Sequence, residues 1–177
     1  MKLSNTENGQ SMAELNYKAA TEPFDNVLHH YWHAVARSQD VTDKPLPVKL
    51  LDHPVVLWRA DTGVVAFHDL CVHRGTPLSL GWTENGSIVC AYHGWRYGSD
   101  GLCKHIPSIP ADRGIPAKAR AIVYRCAEKY GLIWICLRDP VADIPAFPPE
   151  IDDPSYRWEA YSSHGQWRAN AARMIEG

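Results

Sequence analysis

Two short Cys–His pairs are the residues of this sequence best suited to hold a metal. Cys71-Val72-His73 is followed, after 16 residues, by Cys90-Ala91-Tyr92-His93. Thiolates and imidazoles together form a ligand set of mixed softness. A cluster of two irons suits such a set, with Cys71 and Cys90 on one iron and His73 and His93 on the other. Centres of this kind have reduction potentials of about −150 to +300 mV, against about −400 mV for all-cysteine plant-type clusters.

A structural Cys₂His₂ zinc site is the competing interpretation of the same four residues. Such a site needs no redox chemistry, but it usually pairs Cys with Cys and His with His along the chain. The mixed pairs therefore favour iron. An odd count of five cysteines without a secretory signal favours thiols or ligands over disulfides. The three cysteines outside the pairs are interpreted as structural thiols: Cys103, Cys126 and Cys136.

Short β-rich segments joined by turns lie around both pairs. Residues 54–59 and 63–68 predict one hairpin, and residues 120–125 and 131–137 predict another with its turn at 128–130. Two further strands are predicted at 87–90 and 94–97, so each Cys–His pair falls in a loop between strands. Strands of this length joined by Gly and Asp turns indicate an all-β, antiparallel domain.

The segment before these strands predicts a short helix from Phe24 to about Val35 that leads into the first strand. His29, His30 and His33 have helical spacing within it, and His29 with His33 could bind a metal at i, i+4. No Cys or carboxylate completes that set, so an exposed or half-packed helix face is the favoured interpretation.

Both ends of the chain differ from this central part. Residues 1–22 are polar without periodicity and predict a flexible N-terminal tail. Residues 139–155 contain five prolines and five acidic side chains and predict an extended linker. Beyond it, Tyr156, Trp158 and Ala160 alternate as in a strand, and residues 166–176 have the pattern of an opening helix. Residues 156–177 are therefore predicted to be the truncated start of a second domain.

The composition excludes several classes of protein. With 18 basic and 20 acidic residues the net charge is −2, which gives no basic excess for binding nucleic acid or an anionic membrane. No run of 18 apolar residues is present, so no membrane-spanning helix is expected. The first residues lack the apolar core of a secretory signal. We expect a cytoplasmic protein with no nucleic-acid or membrane partner.

The motifs resemble those of Rieske [2Fe–2S] domains. The resemblance lies in residues 71–81 (CVHRGTPLSLG), 90–97 (CAYHGWRY), 100–107 (DGLCKHIP) and 131–135 (GLIWI). Among Rieske domains, this sequence most resembles the N-terminal domain of the large subunit of Rieske non-haem iron oxygenases, in the branch of vanillate demethylase and phenoxybenzoate dioxygenase. This implies an antiparallel Rieske-type β-sandwich with a small cluster-binding subdomain over residues 23–138, followed by the beginning of an α+β catalytic domain. It also implies that the [2Fe–2S] ligands are Cys71, His73, Cys90 and His93.

Residues beside these ligands are expected to shape the site. Gly75 and Gly94 permit close backbone approach, so that N–H groups can reach the cluster sulfurs, and Trp95 could shield one side from water. Arg74 either pairs with a carboxylate of a partner or substrate domain or forms a surface salt bridge. Rieske proteins of cytochrome bc complexes carry an extra Cys in each loop, joined as a disulfide, at positions occupied here by Tyr92 and by Thr76 or its neighbours.

The lack of such a disulfide favours the soluble, cytoplasmic type with a potential near the low end of the Rieske range. Histidine ligation further predicts a potential that falls as pH rises, because ligand histidines lose protons more easily when the cluster is oxidised.

The resemblance also implies an activity for the complete protein. The cluster would take electrons from a reductase or ferredoxin and pass them to a mononuclear non-haem Fe(II), usually in a neighbouring subunit of a homotrimer. That iron would use O₂ to hydroxylate or O-demethylate an aromatic or related organic acid. The family's usual Asp-x-x-His-x₄-His motif is absent from these 177 residues, and Arg173–Gly177 resembles the entry to the catalytic helix. We expect a truncated oxygenase subunit that is inactive alone; a stand-alone Rieske ferredoxin is the alternative.

Overall fold

A computed structural model describes residues 24–110 and 113–157 of the chain. The predicted tail and nearly all of the predicted second domain lie outside the described residues. The chain divides into two compact units, Met1–Ala146 and Phe147–Gly177. All strands of the described residues belong to the first unit.

Ten strands and three short 3₁₀ segments build the described part of the first unit, and every strand pairing is antiparallel. The described residues contain no α-helix. The predicted all-β, antiparallel class is therefore confirmed. The strands are β1 (His33–Arg37), β2 (Leu46–Leu50), β3 (His53–Ala60), β4 (Gly63–His68), β5 (Trp82–Glu84), β6 (Ser87–Val89), β7 (Arg96–Tyr97), β8 (Cys103–His105), β9 (Val123–Lys129) and β10 (Leu132–Cys136). The 3₁₀ segments are Phe24–His30, Ser38–Asp40 and Leu78–Leu80.

The strands form two sheets. One has six strands in the order β1-β10-β9-β4-β3-β2, and the other has four in the order β5-β6-β7-β8. Both predicted hairpins are present, as β3–β4 and β9–β10. The small sheet follows β4 along the chain and contains the predicted strands before and after the second Cys–His pair.

Strand β3 is buried on both of its faces, which shows how the sheets pack. Successive side chains of a strand point to opposite faces. Val55 and Leu57 belong to a core that also contains Ile133 and Ile135 of the six-stranded sheet. Val56 and Trp58 belong to a second core that includes residues of the small sheet and both cysteines of the Cys–His pairs. The six-stranded sheet therefore supports the candidate metal centre through this second core.

Polar contacts fix the small sheet in place at its start. The carboxylate of Asp69 accepts bonds from the backbone N–H of Ser79 (2.8 Å) and from its hydroxyl (2.6 Å). The hydroxyl of Thr83, in β5, donates to the backbone carbonyl of Asp43 at 2.6 Å. These bonds hold both ends of the connection between β4 and β5, which contains the first Cys–His pair.

Two local predictions are wrong. Glu128 and Lys129 pair with Ile133 and Leu132 as part of the β9–β10 ladder, and the turn lies at Tyr130 and Gly131 instead. Both turn residues have positive φ, 58° and 69°, as a two-residue hairpin turn of type I′ requires.

The second wrong prediction concerns His33. It begins β1 and is not on a helix, because the 3₁₀ segment ends at His30. Its Nε2 lies 2.8 Å from the carbonyl oxygen of Leu28. The predicted helix face of three histidines therefore does not form.

The chain after β10 is tied to the start of the first unit before it continues into the predicted linker. The N–H groups of Arg138 and Val141 donate to the carbonyls of His29 (2.9 Å) and His30 (3.0 Å). In the second unit, Pro149–Asp152 forms a 3₁₀ turn. No helix among the described residues is both long and apolar enough to cross a bilayer.

Candidate metal centre

Two loops with matching backbone geometry carry the Cys–His pairs. We define loop 1 as residues 69–77, between β4 and the Leu78–Leu80 segment, and loop 2 as residues 90–95, between β6 and β7. In loop 1, the N–H of Cys71 donates to the carbonyl of Thr76 (2.8 Å), and the N–H of Gly75 donates to the carbonyl of Cys71 (2.9 Å). In loop 2, Cys90 and Gly94 make the same two bonds, at 2.9 Å to the carbonyl of Trp95 and 3.0 Å to that of Cys90.

Each loop closes on a glycine four residues after its cysteine. Gly75 and Gly94 have φ of +72° and +66°, a left-handed conformation that strains residues with a Cβ. A Cβ at Gly94 would also make a tight contact, 3.1 Å from Cγ of Pro107. The predicted glycines are therefore required by the backbone of the loops, whether or not their N–H groups reach a cluster.

The two cysteines of the loops are buried. Cys71 is 1% exposed and Cys90 is 2% exposed, both within the second core. Burial raises the pKa of the Cys71 thiol, and Cys90 raises it further, so the two sulfurs lie close enough to interact. The Tyr97 hydroxyl is 3.2 Å from Cys71 Sγ and opposes this rise in the pKa of Cys71.

The two histidines of the loops lie together nearer the surface. The rings of His73 and His93 are in edge contact, with centroids 4.7 Å apart. Trp95 stacks on His73 at 4.6 Å with only 6° between the ring planes, and Tyr92 lies 3.8 Å from the His93 ring. Desolvation lowers the pKa of His73, with smaller contributions from His93 and Arg74, which favours the neutral imidazole that a metal binds.

The loops therefore bring all four predicted ligands to one end of the second core, with sulfur donors inside and nitrogen donors outside. Arg74 and Tyr92 are exposed beside the histidines. The described residues include no group of three or more His, Cys, Asp or Glu arranged around a single ion. The donors instead form two pairs, and two pairs of donors fit a cluster with two metal ions.

The other cysteines lie away from this arrangement or bond elsewhere. Cys103, on β8, is buried in the same core, and its thiol lies 3.4 Å from the carbonyl of His105. Cys136 is fully buried in β10 and its thiol donates to the carbonyl of His29 at 3.3 Å. Burial in β9 raises the pKa of Cys126 to about 12. All three are free thiols.

Sequence reasoning missed Tyr97 as part of the site. Its ring is buried, and burial together with Cys71 raises the pKa of its phenol, so it stays protonated and able to donate. Tyr97 follows loop 2 by two residues but contacts the cysteine of loop 1, 26 residues earlier. In the sequence, only its position in the CAYHGWRY motif connects Tyr97 with the site.

Comparison with known proteins identifies the class. A family model described as the Rieske [2Fe-2S] domain matches residues 31–127. Methylxanthine N1-demethylase NdmA of Pseudomonas putida is 36% identical over 157 residues, which are 84% of this chain and 44% of that protein. The oxygenase component of dicamba O-demethylase from Stenotrophomonas maltophilia is 37% identical over 134 residues, which are 73% of this chain and 39% of that protein.

Solved structures agree with these relatives. NdmA of Pseudomonas putida CBB5 superimposes with a TM-score of 0.68 at 35% identity, covering 73% of this chain and 41% of that one. Dicamba monooxygenase superimposes with a TM-score of 0.66 at 36% identity, covering 73% and 42%. The chain belongs to the Rieske [2Fe-2S] domain family, and its cofactor is a Rieske-type [2Fe–2S] cluster. It is related to the iron–sulfur portion of oxygenase components and spans less than half of their length.

Proposed function

We propose that this chain is the electron-transfer domain of a Rieske non-haem iron oxygenase, with Cys71, Cys90, His73 and His93 as the ligands of its cluster. The observation that carries the proposal is the separation of the donors into a buried thiol pair and an outer imidazole pair. A cluster with two thiolates on one iron and two imidazoles on the other needs this separation. When bound, the cluster supplies reversible one-electron oxidation and reduction.

The buried pair holds the negative charge of the site. Burial raises the pKa of Cys71, and a bound metal cation would compensate the charge of the thiolate and favour loss of the proton. The hydroxyl of Tyr97 donates to the resulting thiolate, and its own raised pKa keeps that proton on the phenol. The N–H groups of Gly75 and Gly94 are already bonded to cysteine carbonyls, so their first role is to close the loops.

The outer pair connects the site to the surface. Stacking against Trp95 fixes the plane of the His73 ring, while His93 is exposed beside the Tyr92 ring. An electron can therefore reach the site over the imidazoles without crossing the core. Arg74 is exposed on the same surface, and its proposed role is to pair with a carboxylate of a partner.

The activity of the complete protein follows from the same proposal. A reductase or ferredoxin donates electrons, and the recipient is a mononuclear Fe(II) in the catalytic portion that the relatives have and this chain does not span. The named relatives demethylate methylxanthines and dicamba, which supports O₂-dependent hydroxylation or demethylation of an aromatic substrate. A homotrimer in the cytoplasm, in which one subunit's cluster serves its neighbour's iron, completes the proposal.

Anaerobic reconstitution with iron and sulfide, followed by a redox titration, tests this function. We expect a coloured protein that takes up one electron at a potential between about −150 and +300 mV. A colourless protein that binds a single zinc ion through the same four residues and takes up no iron would refute it. Sequencing beyond codon 177 separates the two redox alternatives, because Asp-x-x-His-x₄-His in frame indicates the oxygenase and a natural stop indicates the carrier.

The bond from Tyr97 leads to a prediction about the potential. Tyr97→Phe removes a donor to Cys71 Sγ, and a bond to sulfur stabilises the reduced, more negative cluster more than the oxidised one. We expect the potential to fall by ~20–60 mV, the equivalent of roughly 0.5–1.5 kcal/mol for one electron. Tyr124→Phe is the matched control, since its hydroxyl lies 3.2 Å from His68 Nδ1 instead. Equal potentials in wild type and Tyr97→Phe, measured by redox titration, would contradict the assignment.

A further inference from the structure

Residues 102–120 carry a local excess of positive charge on a chain whose net charge is negative. The segment contains four of the 18 Lys and Arg residues but one of the 20 acidic residues, Asp112, which lies outside the described residues. Its basic side chains are all exposed, and we call them the basic surface: Lys104, Arg113, Lys118 and Arg120.

The charge of this surface is largely uncompensated. Asp100 pairs with Lys104 at 2.6 Å, and its backbone carbonyl accepts a bond from Arg120 at 3.1 Å, so Lys104 and Arg120 lie side by side. Within the described residues, no carboxylate pairs with Arg113, Lys118 or Arg120. Three basic groups thus remain available to an external anion.

The basic surface is attached directly to the proposed cluster site. Lys104 is in β8, which pairs with β7 immediately after loop 2. Pro107 lies against Gly94 of loop 2. Ile106 and Ala119 are buried in the core that contains Cys71 and Cys90, and Ile109 and Ile115 pack against the same core. A protein that docks on this surface is therefore held close to the loops that carry the ligands.

We propose that the basic surface is the docking site of an acidic electron-transfer protein that reduces the cluster. This inference rests on the proposed function. One electron leaves the reduced donor and enters the cluster of this chain, and no bond is formed or broken. Opposite charges steer such transient redox partners into contact and raise their association rate. A second copy is the other possible occupant, because residues 139–153 contain five acidic side chains and no basic residue.

The test compares two double variants of the 177-residue protein carrying its cluster. Arg113→Gln/Lys118→Gln removes two charges from the basic surface, and Lys49→Gln/Lys129→Gln removes two from the six-stranded sheet, in β2 and β9. The probe is a plant-type [2Fe–2S] ferredoxin of strongly negative net charge, whose potential of about −400 mV makes the transfer favourable. The readouts are the second-order reduction rate by stopped-flow at low and high salt, and the Kd by calorimetry with both proteins oxidised.

We expect Arg113→Gln/Lys118→Gln to lower the second-order reduction rate at low salt about tenfold and to make this rate less dependent on salt. The same variant should raise the Kd. The control should change the rate by less than about twofold. Equal effects of the two double variants, or an unchanged Kd, would overturn the proposal. Salt-sensitive self-association that Arg113→Gln/Lys118→Gln abolishes, without a change in ferredoxin binding, would assign the surface to a second copy and also overturn it. Failure of the underlying function is seen separately, as absence of the cluster absorbance in the wild type.

Discussion

The Cys71→Ser variant is expected to lose the cluster completely. Cys71 is 1% exposed and interacts with Cys90, so water has little access to the position of its sulfur. A serine hydroxyl is a much harder and less acidic ligand than a thiol, so it is a poor replacement for a thiolate on iron. Visible absorbance and iron content after anaerobic reconstitution measure the loss.

Cys103→Ser is the matched control for this variant. Cys103 is buried in the same core and is 7% exposed, but its thiol bonds to the carbonyl of His105, a bond that a serine hydroxyl can also make. We expect this variant to keep the cluster and its colour. Full absorbance in Cys71→Ser, or equal losses in the two variants, would refute the assignment of Cys71 as a ligand.

The Gly81→Ala variant is expected to have the largest effect on stability outside the ligands. Gly81 lies between the Leu78–Leu80 segment and β5. A Cβ at this position would overlap the carbonyl oxygen of Val89 and approach that of Leu78 to 3.1 Å. Both obstacles are backbone atoms, so relief requires movement of β6 against β5.

We expect the free energy of unfolding of Gly81→Ala to fall by about 3 kcal/mol, the upper part of the range for overpacking. Because Val89 directly precedes Cys90, the same movement should also reduce the amount of cluster bound. Gly114→Ala is the control, since a Cβ there meets no atom within 4 Å. Denaturant unfolding that gives the two variants the same stability would show that β6 adjusts freely.

Prediction from sequence succeeded where the pattern was local. The hairpins β3–β4 and β9–β10 were found because each is a pair of apolar β-rich runs with a short turn. The turn of the second was placed too early because the polar Glu128 and Lys129 resemble turn residues, whereas they pair in the ladder and the chain reverses at Tyr130 and Gly131. Strand β2 was missed because Pro47 interrupts it, yet β2 lies at the edge of its sheet, where a proline is tolerated.

The site was predicted in the same uneven way. The spacing of Cys and His predicts the donor set, but it does not show that the thiols are buried and the imidazoles are outside. That separation depends on a core in which Val56, Phe67 and Tyr97, from three different strands, pack together with Cys71 and Cys90. The contact of Tyr97 with Cys71 depends on the same packing.

Electron–nuclear double resonance of the reduced, reconstituted protein tests the central assignment most directly. If His73 and His93 are ligands, the spectrum of the unpaired electron contains strong couplings to two nitrogens, and His93→Ala loses this pattern or the cluster itself. A reduced cluster that shows no strong nitrogen coupling would contradict histidine ligation. A protein with no electron paramagnetic resonance signal after reduction would contradict the [2Fe–2S] site altogether.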